Sequence, residues 1–258
     1  MTNNVIVYSA VTSNYDMVFK PKVYTENVNY ILFSDQQRKV KGWEVAPMVD
    51  VMGESALLTN RWYKFFPHKL FKNVEYSIYI DGNIRITGDL SLLIQEFKES
   101  RAALGVFRHP NRTNILEEAD ACVAFGKFDD QDKSRVKSQL EMYFESGMPV
   151  EQPLTDNGII FRWHKHPKLL DAMSSWWDNL QDFSKRDQLS LPYIIWKNDL
   201  PVKIWDWTFR DENIYFDVYL HRRSLIWDLR IIIFIYRNDC ICFGIANRLM
   251  DYVRQFFK

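Results

Sequence analysis

Tyr76-Ser77-Ile78-Tyr79-Ile80-Asp81-Gly82-Asn83 is the stretch on which the fold turns. Residues 76–80 mix aromatic and β-branched types without clear polar alternation, the pattern of a strand covered on both faces. Asp81-Gly82-Asn83 then stops it. In an open α/β sheet, ligands bind outside the carboxyl ends of the strands. An acid and an amide two residues apart at such an end can both reach one hard cation, and Gly82 between them lets backbone or ligand come close. Oxygen donors without thiolates suit Mg²⁺ or Mn²⁺, usually shared with phosphate oxygens. Asp-Gly is equally the short hairpin-turn signal. The stretch alone leaves both readings open.

Upstream, Val5 to Ala10 reads as a first core strand opening into a polar loop. Tyr30 to Phe33 is a second, ending on Ser34-Asp35, and Trp43-Glu44-Val45 is a short third. Strands separated by longer segments indicate an α/β sheet rather than hairpins. Ser34-Asp35 fits a nucleobase or ribose contact and fits a plain turn as well. Ser55 caps a predicted helix that runs to Phe66 and is broken by Pro67, with Leu57, Leu58, Trp62, Phe65 and Phe66 as its apolar stripe. Arg61 and Lys64 are three apart and share a neighbouring face. Beside a metal-carrying strand end they would neutralise a diphosphate. On an ordinary helix they would be solvated.

Downstream, Asp89 is a good N-cap for the helix from Leu90 to Phe97, and Ala102 to Phe107 is the next strand, ending on Arg108-His109-Pro110-Asn111-Arg112. Glu117 and Glu118 follow on a helix. Residues 129–146 form a charged amphipathic helix closed by Gly147 and Pro149. Leu154-Thr155-Asp156-Asn157-Gly158 precedes the strand Ile159 to Arg162. His164 and His166 lack a nearby third ligand and read as a surface loop. Trp176-Trp177 reads as core. Asp187 and Gln188 sit in the first turn of a further helix, where free backbone N–H groups carry partial positive charge. A structural cap accounts for Asp187 alone, though not for the whole polar set.

With 258 residues and 47% hydrophobic content, the chain can bury a sizeable core without disulfides. Its 33 basic and 33 acidic residues cancel, which argues against a nucleic-acid binder relying on bulk positive charge. Aromatic residues make up 16%, a share that suits sugar stacking and core packing alike. Cys122, Cys240 and Cys242 form no metal or disulfide framework, so reduced thiols in the cytoplasm are expected. The amino terminus has no charged segment leading into a long apolar run, and no secretory signal is expected.

Taken in order and spacing, these segments resemble a nucleotide-sugar-dependent glycosyltransferase of the GT-A type. More narrowly, they resemble the glycosyltransferase-like domain shared by bacterial polysaccharide-locus proteins and plant TOD/MUCI proteins. The carrying residues are Asn60-Arg61-Trp62-Tyr63-Lys64 with Pro67 to Phe71, Tyr79 to Asn83, His109 to Arg112, Leu154 to Arg162, and Arg186 to Ser190 with Pro192-Tyr193. They cover roughly residues 55–200. The resemblance implies a Rossmann-like, mainly parallel sheet flanked by helices. It gives Asp81 and Asn83 the place of an Asp-x-Asp motif that holds Mn²⁺ or Mg²⁺ on the donor diphosphate, with Asn in place of the second acid. It makes Arg61 and Lys64 donor-binding cations. It sets Asp156, Asn157, Asp187 and Gln188 along donor sugar and acceptor, with Asp156 and Asp187 as the catalytic candidates. His221 takes the place of a late metal-shell histidine.

The chemistry agrees. Breaking a glycosyl–phosphate bond builds negative charge on the leaving diphosphate, which a divalent cation with Arg and Lys stabilises. The sugar passes through an oxocarbenium-like state that carboxylates can stabilise. The expected donor is a nucleotide sugar, a UDP-sugar foremost, and the acceptor a glycan or lipid-linked glycan of a surface polysaccharide. Two rivals stand beside this: a non-catalytic carbohydrate-binding protein on a degenerate transferase fold, favoured by Asn83, and a hydrolase, since the plant branch has carried a ceramidase description. No Gly-x-Ser-x-Gly elbow or His-Glu-x-x-His pattern is present.

The transferase domain is expected to span residues 1–221, with a tail over 222–258. In that tail Ile231 to Tyr236 is apolar but well short of the roughly 18 residues of a membrane span. Ile245, Leu249, Val253 and Phe256-Phe257 recur at helical spacing beside Arg248, Arg254 and Lys258. This predicts an amphipathic basic helix. It suits peripheral contact with the inner face of a membrane, and equally packing on the domain or on a second subunit.

Overall fold

The computed structural model describes residues 4–221 except 37, 38, 50, 52, 54 and 220. The expected tail over 222–258, its boundary with the main domain, Cys240 and Cys242 lie outside the described residues. In chain order, β1 (Val5–Val11), β2 (Val28–Ser34) and β3 (Glu44–Pro47) lead to α1 (Ala56–Phe65) and α2 (Pro67–Leu70). Then come β4 (Tyr76–Ile80), β5 (Ile84–Ile86), α3 (Ser91–Ser100), β6 (Leu104–Arg108), α4 (Ile115–Ala124) and α5 (Asp130–Glu145). β7 (Thr155–Trp163), α6 (Leu169–Asp182), α7 (Asp187–Lys197), β8 (Val202–Trp205) and β9 (Phe216–Val218) follow.

Seven strands form one sheet in the order β3-β2-β1-β4-β7-β6-β8, and β5 pairs with β9 in a small second sheet. β3, β2, β1 and β4 run parallel; β7 runs antiparallel to both of its neighbours, and β8 is parallel to β6. The sheet is therefore Rossmann-like and mainly parallel, with one reversed strand. Side-chain alternation divides the core between its faces. Tyr8, Tyr79 and Ile160 face one cluster, under α1, α6 and α7; Val7, Ile78 and Phe161 face the other, with α3. Trp176 is fully buried with its ring stacked 4.0 Å from that of Phe65, so it is core as expected.

Several local expectations shift. Ser55 does cap α1, accepting from the Leu58 N–H at 3.3 Å, but Leu57 is 45% exposed and leaves the apolar stripe. Pro67 ends α1 and at once opens α2, because a proline at the first helical position gives up only an N–H that had no partner. The strand expected from Ala102 begins at Leu104. Asp156 and Asn157 lie within β7, not in a loop before it.

Candidate active site

Reversal of β7 decides where the polar residues meet. The carboxyl ends of β1, β4 and β6 and the beginning of β7 share one edge, so Asp81, His109, Asp156 and Asn157 converge there. A cavity of about 690 Å³ opens over that edge, and Arg61, Lys64, Asp187 and Gln188 line it too. The Asp81 N–H donates to the Gly158 carbonyl at 2.8 Å, which fixes the end of β4 against β7. A Cβ on Gly158 would come within 2.9 Å of Phe209 and 3.3 Å of an Asp81 carboxylate oxygen, so this crossing needs a glycine.

Lys64 is not a solvated helix cation. Its side chain is 2% exposed, with Nζ 2.6 Å from Asp187 Oδ2 and 3.6 Å from Asp81 Oδ1. Arg61, one turn earlier, brings Nη2 to 3.5 Å from Asp187 Oδ1. Asp187 does not cap α7 with its side chain; its carboxylate turns to these cations, near the positive end of the helix. Burial alone would raise its pKa, but Arg61 and Lys64 outweigh burial and hold it well below the usual carboxylate range. For Asp81 the balance tips the other way. Desolvation exceeds the pull of Lys64 and Arg61, and its pKa rises even though 27% of the side chain remains exposed. Two acids sharing one lysine are thereby pushed apart.

Asp156 is covered by Arg210. The guanidinium Nη2 lies 3.2 Å from Oδ1, Nε closes on Oδ2, and Oδ1 also accepts from the Gly158 N–H at 3.1 Å. Asn157 accepts from Thr155 Oγ1 at 3.0 Å and donates to the Asp187 carbonyl at 3.0 Å, tying β7 to the start of α7. Gln188 Oε1 is 3.4 Å from Arg186. Beneath these, the fully buried Glu118 accepts from Arg112 and from Arg186 at 2.9 Å. Burial would raise the pKa of Glu118, but the two guanidinium groups hold it below its usual value. Sequence reasoning missed Arg210, which lines the cavity, and the supporting role of Glu118, which does not line it but holds the lining residues Arg112 and Arg186. Glu118 was visible as an acid after the His109–Arg112 cluster, whereas no local pattern marks Arg210.

The expected metal residues divide. Asp81 and His221 both line the cavity. His221 gives Nδ1–H to Asp16 Oδ1 at 2.8 Å, and its ring packs 5.0 Å from that of Tyr15. That hydrogen bond raises the pKa of His221 and leaves Nε2 with the lone pair, a tautomer of the kind carboxylates impose on metal-binding histidines. Asn83 is not among the lining residues; its amide Nδ2 donates to the Tyr219 carbonyl at 2.7 Å. Mg²⁺ and similar hard ions are commonly held by one or two protein ligands plus phosphate oxygens. Asp81 and His221 fit that pattern, while no group of three or more His, Cys, Asp or Glu side chains suited to a metal occurs among the described residues.

Other strand-end and loop residues have structural roles. Asp35 accepts from the Ser13 N–H at 2.7 Å, and Ser34 Oγ from the Gln36 N–H at 3.1 Å. His164 and His166 follow β7 in a turn, but the surface-loop expectation fails for His164, whose Nε2 lies 2.8 Å from Oγ of the buried Ser77 because its ring packs back against β4. Among the described residues no helix is long and apolar enough to cross a membrane.

Comparison with known proteins points the same way as the geometry. The family model of the TOD1/MUCI70 glycosyltransferase-like domain matches residues 32–215. The chain is 25% identical over 214 residues to the probable hexosyltransferase MUCI70 of Arabidopsis thaliana, covering 72% of this chain and 36% of that protein. It is 29% identical over 140 residues to the alkaline ceramidase TOD1 of the same plant, covering 51% of this chain and 30% of that protein. The chain thus spans about a third of the length of these curated relatives.

Proposed function

The chain belongs to the TOD1/MUCI70 glycosyltransferase-like domain family, and from that membership we propose that it transfers one sugar from a nucleotide-diphosphate sugar, a UDP-sugar foremost, to a glycan or lipid-linked glycan acceptor in surface-polysaccharide synthesis. The observation that carries the reading is the buried Lys64, held between Asp187 and Asp81 at the carboxyl end of β4.

A lysine desolvated and fixed by Asp187 needs little reorganisation to meet charge growing on a leaving diphosphate, and such preorganised charge lowers the barrier most. Arg61 adds a second fixed cation on the same side. Asp187 serves this arrangement as an anchor: an acid already neutralised by two cations is a poor base. Asp156 is the better carboxylate to face an oxocarbenium-like sugar or to take the acceptor proton. Its partner Arg210 is 42% exposed, so solvent screens that pair more than the Lys64 pair. Asn157 and Gln188 frame the sugar between β7 and α7. A Mn²⁺ or Mg²⁺ ion held by Asp81 and His221 would supply further stabilisation of the diphosphate.

A thermal-shift panel of UDP-, GDP-, CMP- and dTDP-sugars, each with and without Mn²⁺, tests the reading. A ligand that binds only the folded chain adds roughly 2.7 kcal/mol at a hundredfold excess over its dissociation constant. The expected result is a shift with one nucleotide sugar that disappears in Asp81→Ala, together with loss of transfer and an intact fold. A shift with oligosaccharide alone, and none with any nucleotide sugar, would replace the transferase by a carbohydrate-binding module.

A further inference from the structure

The three residues Asp81-Gly82-Asn83 carry three different tasks. Asp81 faces the cavity. Gly82 makes room: a Cβ there would come within 2.6 Å of Val11 Cγ2 and 2.9 Å of Asp16 Cβ, so the loop after β1 crosses directly against it. Asn83 is buried and turns to β9. Its carbonyl accepts from the Tyr219 N–H at 2.9 Å, while its side-chain amide donates to the Tyr219 carbonyl at 2.7 Å. Tyr219 is thus gripped at both ends of one residue. The β5–β9 ladder pairs Ile84 with Val218 and Arg85 with Asp217, and Asn83–Tyr219 extends the same register. His221 follows two positions after Tyr219, and it lines the same cavity as Asp81.

We propose that Asn83 is a positioning residue that sets His221 beside Asp81 through Tyr219, and that it does not itself contact the cation. The inference deepens the reading above, since it concerns the edge that would hold the donor diphosphate. A second acid at position 83 could not take this role. A carboxylate has no N–H to give the Tyr219 carbonyl, and its oxygens would repel that carbonyl. The amide in this motif is therefore required by the β9 contact. Among the described residues, His221 is also restrained from the loop after β1, by the Asp16 carboxylate and the Tyr15 ring.

Two measurements on wild type, Asn83→Asp, Asn83→Ala and His221→Gln test this. The first is Mn²⁺ binding to the full chain in the presence of UDP, followed by electron paramagnetic resonance. The second is the imidazole ¹H–¹⁵N spectrum of the metal-free protein, in which His221→Gln identifies the His221 signal. Expected is a protected Nδ1–H of His221 in wild type that is lost in both Asn83 variants, with Mn²⁺ affinity falling at least tenfold in each. Combining Asn83→Ala with His221→Gln should weaken Mn²⁺ no further than His221→Gln alone. Tighter Mn²⁺ binding by Asn83→Asp would make position 83 a ligand and overturn the proposal, as would an unchanged His221 signal in both Asn83 variants. If wild type binds no Mn²⁺, the metal part of the proposed function fails, and the imidazole spectrum alone still decides whether Asn83 sets His221.

Discussion

Lys64 and Asp187, 123 positions apart in the chain, meet with Nζ 2.6 Å from Oδ2 where both side chains are buried. The contact joins the last turn of α1 to the first turn of α7, and it faces Asp81 across 3.6 Å. Lys64 therefore serves as counter-ion to two acids on different elements, and the folded chain carries the cost of desolvating all three groups.

Removing Lys64 alone should cost more than removing Asp187 alone, and the two losses should not add. Lys64→Met leaves Asp187 and Asp81 facing each other, and stripping one member from a buried pair costs about 3–5 kcal/mol. Asp187→Asn should cost less, because Lys64 keeps Asp81. The double variant is expected to be more stable than the sum of the singles predicts, by about 1 kcal/mol or more. Urea unfolding of all four proteins measures this. Additive losses would mean that the two groups do not share one electrostatic unit.

Stability should fall with acid through two histidines that lie behind the sheet edge. His68 and His164 are both held to about 4, first by burial and then by the neighbouring Arg162 guanidinium. Arg162 is fully buried, and its Nε and Nη2 have no hydrogen-bond partner among the described residues. In the unfolded chain each histidine takes its proton near the ordinary value of 6.5, while the folded chain refuses it until about pH 4. Their contribution is whole above pH 6.5 and is lost as the pH falls towards 4. Melting temperatures at pH 7, 5.5 and 4.5 should show a shallower decline for His68→Asn/His164→Gln than for wild type. Parallel curves would remove these histidines from the acid response.

Gly82→Ala should destabilise through packing alone. Gly82 does not occupy the left-handed region, so the backbone tolerates a side chain; the obstacle is Val11 and Asp16. Overpacking of this kind costs about 1–3 kcal/mol. Because Asp16 holds His221, the variant should also lose Mn²⁺ affinity. A melting temperature within a degree of wild type, with Mn²⁺ binding intact, would show that the loop after β1 moves aside freely.

Much of this architecture was legible from residue order. Apolar runs located β1, β2, β4 and β7, and the Ser55 cap and Pro67 bounded α1, because those signals are local. The order of polar segments brought Arg61, Lys64, Asp81, Asp156, Asn157, Asp187 and Gln188 together, and all seven line one cavity. Other features depend on long-range geometry. Reversal of β7 cannot be read from its own composition, since a buried strand looks the same in either direction. Arg210 reaches Asp156 across 54 positions with no motif around it. Asn83 looked like a diluted acid because its partner, the Tyr219 carbonyl just after β9, carries no sequence signature.

The antiparallel pair of β5 and β9 also bears on where the working unit ends. The family match stops at Tyr215, one residue before β9 begins and six before His221. A chain cut at that point would keep the seven-stranded sheet and every cation around Asp187. It would also leave β5 as an open edge and strand Asn83 without its clasp. The boundary recognised by similarity and the boundary needed for a closed site therefore differ by a handful of residues, and any minimal version of this domain should be cut beyond His221.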